Sequence, residues 1–227
     1  MTKTLEVIVT TPKEALEAQV GGAGRLELAH SLDDEGLTPS PQIVEDVLGI
    51  VSIPVRVILR DTPSFELTDE REITRLLTKA EVFARARVEG LVLGFIRHGA
   101  LDRELLRHIL SAVPNIAITF HRAFEHIRDP LTAIHQLKSF PQIDRILTNG
   151  GAGSWEERKG RLRLWQNAAA PEIKIVVGGG LTIPLLTELA REGEFAEFHA
   201  GRAARNPPTA VGVLGRAQVA ALKSALA

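Results

Sequence analysis

The strongest constraint on the fold is a repeated alternation of short apolar runs and helical stretches along the chain. Each run has the bulky aliphatic composition of a buried strand, and a segment of helical composition follows each of them. The eight runs are Leu5–Thr10, Arg25–Ala29, Pro54–Arg60, Gly90–Gly94, Ile116–His121, Ile143–Thr148, Ile173–Gly178 and Phe195–Ala200. Regular strand–helix alternation predicts a parallel sheet with helical crossovers, and eight units favour its closure into a (β/α)8 barrel.

Nothing in the composition divides the chain into separate parts. Its 227 residues exceed an average domain of about 150 residues, but no linker or low-complexity tract interrupts the alternation. We therefore predict a single TIM-barrel domain of the α/β class over residues 1–227. The alternative is a doubly wound α/β sheet, which is disfavoured because no G-x-G-x-x-G motif follows the first strand.

The balance of charges argues against several classes of partner. The chain has 27 lysines and arginines against 28 aspartates and glutamates, so no general electrostatic field attracts nucleic acid or a membrane surface. No apolar run approaches the ~18 residues of a spanning helix. Leu5–Thr10 is too short for the core of a signal peptide and contains Glu6. We expect a cytoplasmic protein with neither nucleic-acid nor membrane partners.

The sequence contains almost no sulfur-containing residues. There is no cysteine, and Met1 is the single methionine. Disulfides, thiolate nucleophiles, cysteine-type zinc sites and iron–sulfur clusters are therefore excluded. The soft sulfur ligands that favour Cu(I) are missing as well, so we expect any metal cofactor to be a divalent ion held by nitrogen and oxygen.

Charged and polar side chains are predicted inside the barrel. In Ile116–His121, period-two alternation turns the bulky apolar residues toward the helices and Thr119 and His121 inward. The same alternation in the other strands places a larger set inside: Glu6, Arg25, Glu27, Arg56, Arg60, Lys174, Glu197 and His199. An unpaired charge in such a place is costly, so these groups pair with one another or bind a ligand.

Two interpretations of this polar interior remain open. One is a closed salt-bridge network in which Arg25, Arg56 and Lys174 neutralise the glutamates. The other is a functional site, because barrel enzymes place their chemistry at the C-terminal ends of the strands. The interior residues at or near such ends are Arg60, Thr119, His121, Thr148 and His199.

The histidines and carboxylates suggest two kinds of chemistry. His121 and His199 are candidate ligands of Zn, Mn or Cu(II). As an acid–base site, the interior offers these candidate catalytic residues: Glu6, Glu27, Arg60, Thr119 and His121. The plainer alternative is a histidine held by a buried glutamate as part of the packing.

Glycines after the last two strands predict an anion-binding site. Gly178, Gly179 and Gly180 end the seventh strand, and Gly201 and Arg202 follow the eighth. Phosphate-binding barrels use backbone N–H groups at these two places, so a small anionic ligand is expected there. The alternative is that the glycines only turn the chain into the next helix.

Seven segments resemble signature segments of a known family. They are Leu5–Val7, Arg25–Leu28, Gly36–Ser40, Ile118–Phe124, Arg145–Gly150, Gly178–Gly180 and Glu197–His199. In this order they resemble the CutC family, and the segment Thr119–Phe124 is the most distinctive. The resemblance implies a TIM barrel, a role in copper homeostasis, a cytoplasmic location and assembly into homo-oligomers.

The sequence also departs from that family at positions that matter for copper. Many relatives carry cysteine where this chain has Ile8 and Ala29. Copper binding that depends on sulfur therefore does not carry over. Two functions remain open: a copper homeostasis protein, or an uncharacterised TIM-barrel enzyme acting on a small anionic or phosphorylated metabolite at the strand C-termini.

Overall fold

A closed barrel of eight strands forms the centre of the computed structural model, which describes residues 2–227. The strands are β1 (Thr4–Val9), β2 (Arg25–Leu28), β3 (Val55–Ile58), β4 (Gly90–Leu93), β5 (Ala117–Phe120), β6 (Ile143–Thr148), β7 (Lys174–Gly178) and β8 (Glu197–Ala200). Their order around the barrel is β1-β8-β7-β6-β5-β4-β3-β2. The prediction of a (β/α)8 barrel is confirmed.

Eight α-helices among the described residues alternate with these strands. They are α1 (Pro12–Val20), α2 (Pro41–Leu48), α3 (Glu70–Arg85), α4 (Arg103–Ala112), α5 (Pro130–Leu137), α6 (Trp155–Ala169), α7 (Ile183–Glu192) and α8 (Arg216–Ser224). The start of α6 shows how local chemistry fixes a boundary. The backbone N–H of Ser154 donates to Glu157 Oε2 over 2.7 Å, and the N–H of Glu157 donates to Ser154 Oγ over 3.4 Å, which completes a capping box.

Shorter elements lie in the connections between the strands and the helices. Within residues 2–227, three 3-10 helices span Leu32–Asp34, Arg122–His126 and Arg202–Ala204. Two small antiparallel ribbons pair Ile96–Arg97 with Ala100–Leu101, and Arg205–Asn206 with Val213–Leu214. No helix in the described part of the chain is both long enough and apolar enough to cross a membrane.

The chain forms two compact units. The first runs up to Ile58 and resumes at Gly178, so it contains β1, β2, β3 and β8. Register within it is set by β1, which pairs in parallel with both β2 and β8. Glu6 therefore lies opposite Arg25 on one side and His199 on the other. This pairing brings polar side chains from three strands together.

The second unit, Leu59–Val177, contains β4, β5 and β6. Its strands also bury both faces, which explains their nearly continuous apolar sequences. Leu91, Ile118 and Ile146, for example, are fully buried. β5 pairs in parallel with β4 and β6, and the N–H of His121 continues the ladder by donating to Leu93 O over 2.9 Å.

The structure corrects one interior prediction and confirms another. Arg56 is fully buried, as predicted. Lys174 is exposed, so its predicted place in the interior is wrong. It is the first residue of β7, and there a lysine can keep its ammonium group in water while its aliphatic part packs.

Candidate functional site

Three ionisable side chains from neighbouring strands of the first unit meet in the interior. Glu6 lies on β1, Glu27 on β2 and His199 on β8. They are 1%, 2% and 8% exposed, respectively. One ligand atom from each, two carboxylate oxygens and one imidazole nitrogen, lies within 4.8 Å of the other two. The strand register, rather than any loop, sets this arrangement, so the three groups are held on rigid elements.

Hydrogen bonds fix Glu6 at the centre of this cluster. Its Oε1 lies 2.8 Å from His199 Nδ1, and its Oε2 accepts from Arg25 Nε. Nη2 of Arg25 also donates to Glu197 Oε2 over 2.7 Å. Arg25 thus pairs with two glutamates at once, as the salt-bridge interpretation of the interior predicts for this residue.

The charges in the cluster favour an ionised Glu6 and a protonated His199. Burial alone would raise the pKa of Glu6, but the Arg25 charge and the His199 hydrogen bond outweigh burial and hold that pKa well below its ordinary value. Burial alone would lower the pKa of His199, but the charge of Glu27 and the hydrogen bond with Glu6 raise it. Both shifts of pKa favour a buried ion pair between Glu6 and His199.

The carboxyl group of Glu27 differs from that of Glu6 in its hydrogen bonds and in its pKa. Its Oε2 is buried and has no hydrogen-bond partner within the described residues. That oxygen lies 4.0 Å from His199 Nδ1. Burial raises the pKa of Glu27 to about 7, against the opposing charge of His199. A carboxyl group that titrates near neutrality beside a histidine can donate or accept a proton at ordinary pH.

His121 lies in the second unit, in a different environment. Its Nδ1 accepts from the backbone N–H of Ala123 over 3.3 Å. Its ring centroid is 5.2 Å from that of Phe65, and the guanidinium carbon of Arg60 lies 4.6 Å from the same Phe65 centroid. The ring needs Gly94, because a Cβ there would stand 2.7 Å from Nδ1. The potential metal cluster of the described residues contains His199 and leaves His121 out.

The predicted threonines are buried, and one of them has a defined structural task. Thr119 and Thr148 are both fully buried. Thr148 Oγ1 donates to Glu125 Oε1 over 3.3 Å and accepts from the N–H of Gly150 over 3.1 Å. Glu125 is held in turn by Arg122. Thr148 therefore shapes the turn after β6.

Of the predicted anion-binding glycines, Gly178 is the last residue of β7 and the others lie in two turns. Gly179 and Gly180 have φ values of 81° and 87°, in the left-handed region where glycine is favoured. A Cβ at Gly180 would meet nothing within 4 Å, so conformation rather than space requires glycine there. Gly201 precedes the 3-10 helix that begins with the exposed Arg202. Both turns are compatible with the anion site and with the simpler role of turning the chain.

Comparison with known proteins agrees with this fold. The sequence pattern of the CutC family matches residues 3–204. The chain belongs to the CutC family. It is 31% identical over 196 residues to the copper homeostasis protein cutC homolog of Mus musculus, which covers 86% of this chain and 72% of the mouse protein. The human homolog is also 31% identical over 196 residues, with 86% of this chain and 71% of the human protein covered.

Solved structures give the same result for the architecture. The crystal structure of CutC from Streptococcus agalactiae superposes with a TM-score of 0.81 at 23% identity, covering 88% of this chain and 98% of that one. Phosphoribosyl anthranilate isomerase from Thermococcus kodakaraensis superposes with a TM-score of 0.61 at 17% identity and covers 99% of both chains. At these identities the likeness concerns the fold alone.

The two positions where cysteine is expected in CutC relatives, Ile8 and Ala29, hold buried apolar side chains near Gly36. A Cβ at Gly36 would stand 2.5 Å from Ile58 Cδ1, 3.4 Å from Ala29 Cβ and 3.7 Å from Ile8 Cδ1. Ile8 and Ala29 are thus close to the same point beneath Gly36, whose φ is 93°. In this CutC chain, hydrocarbon occupies the region where sulfur is expected in relatives.

Phe65 is a site residue that sequence reasoning missed. It lies in the loop between β3 and α3, where strand alternation gives no information. The sequence offered one signal for it, because Phe65 is the single aromatic residue in the otherwise polar stretch from Asp61 to Glu66. An isolated aromatic side chain in a polar loop is a candidate site residue, because binding and catalytic residues often lie on loops.

Proposed function

We propose that this CutC family member is a barrel enzyme that uses Glu27 and His199 for proton transfer on a small anionic metabolite. The observation that carries the proposal is the environment of the Glu27 carboxyl group. Its Oε2 is buried without a hydrogen-bond partner within the described residues and lies 4.0 Å from His199 Nδ1, and burial raises the pKa of this carboxyl to about 7. A purely structural ion pair does not need a second carboxyl that titrates near neutrality.

Each residue of the cluster has a distinct role in this proposal. Glu27 exchanges the proton, because it can be protonated or ionised near pH 7. Glu6 orients His199 through its Nδ1 contact, and Arg25 keeps Glu6 ionised. The backbone of Gly178–Gly180 and of Gly201, with the Arg202 side chain, would bind the anionic group of the metabolite.

The donor set does not fit Cu(I), although the mouse and human relatives are named for copper homeostasis. Cu(I) prefers thiolate and thioether ligands. The sequence has no cysteine, and its one methionine is Met1. Ile8 and Ala29 supply only hydrocarbon. We therefore assign no step of the proposed reaction to copper.

A divalent metal is a second candidate, favoured by the geometry of Glu6, Glu27 and His199. Their carboxylate oxygens and imidazole nitrogen lie within 4.8 Å of one another and are ligands that suit Zn, Mn or Cu(II). A metal would have to displace the proton of His199 and the contact between Nδ1 and Glu6 Oε1. We expect its binding to weaken as the pH falls.

The proposal is tested first on Glu27 itself. Infrared difference spectra between pH 5 and pH 8.5 should show a carboxyl group that ionises near pH 7, because burial raises the pKa of Glu27 to about 7. Glu27→Gln should remove this band. Glu45→Gln, the same substitution at an exposed position of α2, should retain it. A wild-type spectrum without a carboxyl group ionising near neutrality would contradict the assignment.

The substrate class is tested by ligand-induced stabilisation. A panel of phosphorylated and carboxylated metabolites, with their uncharged analogues, is added to the intact protein and the unfolding temperature is measured. A ligand at a hundred times its Kd stabilises the fold by about 2.7 kcal/mol, and the anionic compounds alone should reach this effect. Tight Cu(I) binding in a competition assay, without stabilisation by any anion, would refute the enzyme proposal.

We also propose that the protein works in the cytoplasm as a homo-oligomer, without nucleic-acid or membrane partners. The formal net charge of −1 supports the absence of electrostatic partners. Val211 and Val213 are 80% and 69% exposed, and apolar side chains at this exposure are compatible with a contact between copies of the chain. Light scattering of the purified protein tests the oligomeric state, and a monomer at all concentrations would refute it.

A further inference from the structure

A loop of the first unit covers the carboxyl group of Glu27 from one side. Ala29 comes directly after β2, and by strand alternation it shares the inward face of Glu27. Ile8 stands opposite Glu27 in the register of β1 and β2. Gly36, in the connection from β2 to α2, lies over both, because a Cβ there would stand 3.4 Å from Ala29 Cβ and 3.7 Å from Ile8 Cδ1. Gly36 therefore covers Glu27 on the side of the strand C-termini, where barrel enzymes bind their substrates.

Ile58 and Gly201 complete this cover. Ile58 is the last residue of β3, and its Cδ1 would be 2.5 Å from a Cβ on Gly36. Gly201 follows β8, and a Cβ there would stand 3.2 Å from Ile8 Cγ2. The three side chains beneath Gly36 are all buried, as is Glu27. A metabolite cannot reach the Glu27 carboxyl from this side while these groups stay in contact.

The loop that carries Gly36 is closed at its base. His30 and Leu37 form an antiparallel bridge. The N–H of His30 donates to Leu37 O over 2.7 Å, and the N–H of Leu37 donates to His30 O over 2.6 Å. Inside the loop, the N–H of Gly36 donates to Ser31 O over 3.0 Å. A compact surface loop whose ends are joined in this way is an Ω-loop, a kind of segment that is frequently functional.

The backbone of this loop is strained in the closed position. Ser31 and Glu35 have φ values of 53° and 60°, in the left-handed region that residues with side chains seldom adopt. Such residues persist where surrounding contacts hold them, and they are common in switch regions. Ser31 follows the bridge at His30, and Glu35 precedes Gly36. Rotation at either residue would release its strain and lift Gly36 from the apolar side chains beneath it.

We propose that residues 30–37 form a lid that opens to admit a metabolite to Glu27. The inference rests on the proposed function, which makes Glu27 the group that the metabolite must reach. Opening exposes buried hydrocarbon to water, so the closed form is the more populated one. Lids of this kind commonly control access to the active sites of enzymes. The alternative is a permanent plug, in which Gly36 never leaves the apolar side chains.

The methyl groups beneath Gly36 report opening in the wild-type protein. Ile8 and Ile58 each place Cδ1 within 4 Å of the Cβ position of Gly36. Relaxation-dispersion and saturation-transfer NMR spectra, recorded on protein labelled with carbon-13 at the isoleucine δ1 methyl groups, detect motion on the microsecond to millisecond scale. We expect exchange at both methyl groups. Ile118 and Ile146, fully buried in the second unit, are the reference and should show none.

Chemical labelling connects this motion to Glu27. A water-soluble carbodiimide and an amine convert accessible carboxyl groups to amides, and peptide mass spectrometry gives the rates at Glu27 and at the exposed Glu45, which reports the activity of the reagent. Gly36→Ala places a Cβ 2.5 Å from Ile58 Cδ1. This overpacking disfavours the closed contact and should raise the labelling rate of Glu27 by about tenfold or more. Gly193→Ala is the matched control, because its φ is also positive, at 74°, but nothing lies within 4 Å of its Cβ; it should leave the rate unchanged.

A milder pair of variants serves if Gly36→Ala does not fold. Ile58→Val removes Cδ1, the atom nearest to the Cβ position of Gly36, and should also raise the labelling rate of Glu27. Ile118→Val removes the same group in the second unit and should leave that rate unchanged. Equal rates in the two variants would contradict the lid.

Either of two further results would overturn the inference. One is the absence of exchange at both Ile8 and Ile58. The other is labelling of Glu27 that is equally slow in the wild type and in folded Gly36→Ala. Both measurements need neither a ligand nor a proton transfer, so they remain valid if the infrared titration of Glu27 fails. A Glu27 that ionises near pH 7 behind an immobile loop would refute the lid alone.

Discussion

Replacement of Glu27 by glutamine should make the protein more stable relative to the wild type as the pH rises. In the folded chain the pKa of Glu27 is raised from 4.5 to about 7, first by burial. Below pH 4.5 the carboxyl is protonated in both the folded and unfolded states, so its burial has no ionisation cost. Between pH 4.5 and 7 the unfolded state releases the proton first, and this favours unfolding. Glutamine has no such proton and avoids the cost.

The size of the effect follows from the difference between the two pKa values. One pKa unit corresponds to 1.36 kcal/mol, so a rise from 4.5 to about 7 gives a cost of about 3 kcal/mol above pH 7. Glu27 is only 2% exposed, so solvent screening reduces this value little. The attraction of His199 is already included in this value, because it lowers the pKa of Glu27 against the effect of burial.

Urea denaturation at a series of pH values measures this directly. The free energy of unfolding of Glu27→Gln minus that of the wild type should increase by about 3 kcal/mol between pH 4.5 and pH 8. Glu45→Gln, at an exposed position on α2, serves as the matched control and should give a difference nearly independent of pH. A constant difference for Glu27→Gln, or one that falls with rising pH, would show that folding does not raise the pKa of Glu27.

Three further predictions concern single residues. Arg25→Met removes the cation between Glu6 and Glu197 and should reduce the free energy of unfolding in urea by about 3–5 kcal/mol at pH 7; an unchanged midpoint would contradict this. His121, with its pKa lowered from 6.5 to about 3, destabilises the fold as the pH falls below 6.5, because the unfolded state binds the proton first. His121→Gln should therefore flatten the acid side of the stability curve, and a curve parallel to that of the wild type would argue against a neutral buried ring. Gly94→Ala places a Cβ 2.7 Å from Nδ1 of His121 and should cost about 1–3 kcal/mol, with a changed His121 nitrogen signal in the NMR spectrum; an unperturbed ring signal would refute the contact.

The strands were predictable because buried parallel strands leave a strong local pattern. All eight observed strands lie within two residues of the predicted limits. The same period-two alternation placed Glu6, Glu27 and His199 inside the barrel, and the structure finds all three buried there. Arg25 was predictable as an ion-pair partner because a buried charge requires one.

Other features were not accessible to this reasoning, for identifiable reasons. Alternation gives the face of a side chain but not the register between strands, so it could not show that Glu6 contacts His199 directly. It also treats every residue of a strand alike, and for this reason it placed the exposed Lys174 inside. Phe65 lies in a loop, where a contact with Arg60 depends on the path of the backbone rather than on any period.

The ion pair between Arg25 and Glu197 has a consequence for how the polypeptide is made. The two residues are separated by 172 positions, and the second stands on the last strand of the barrel. During synthesis from the N-terminus, β1 and β2 leave the ribosome long before the carboxylate that completes the neutralisation of Arg25. The first unit can therefore close its polar interior only when translation is nearly finished, so nascent chains that stop before β8 should be good substrates for chaperones and proteases.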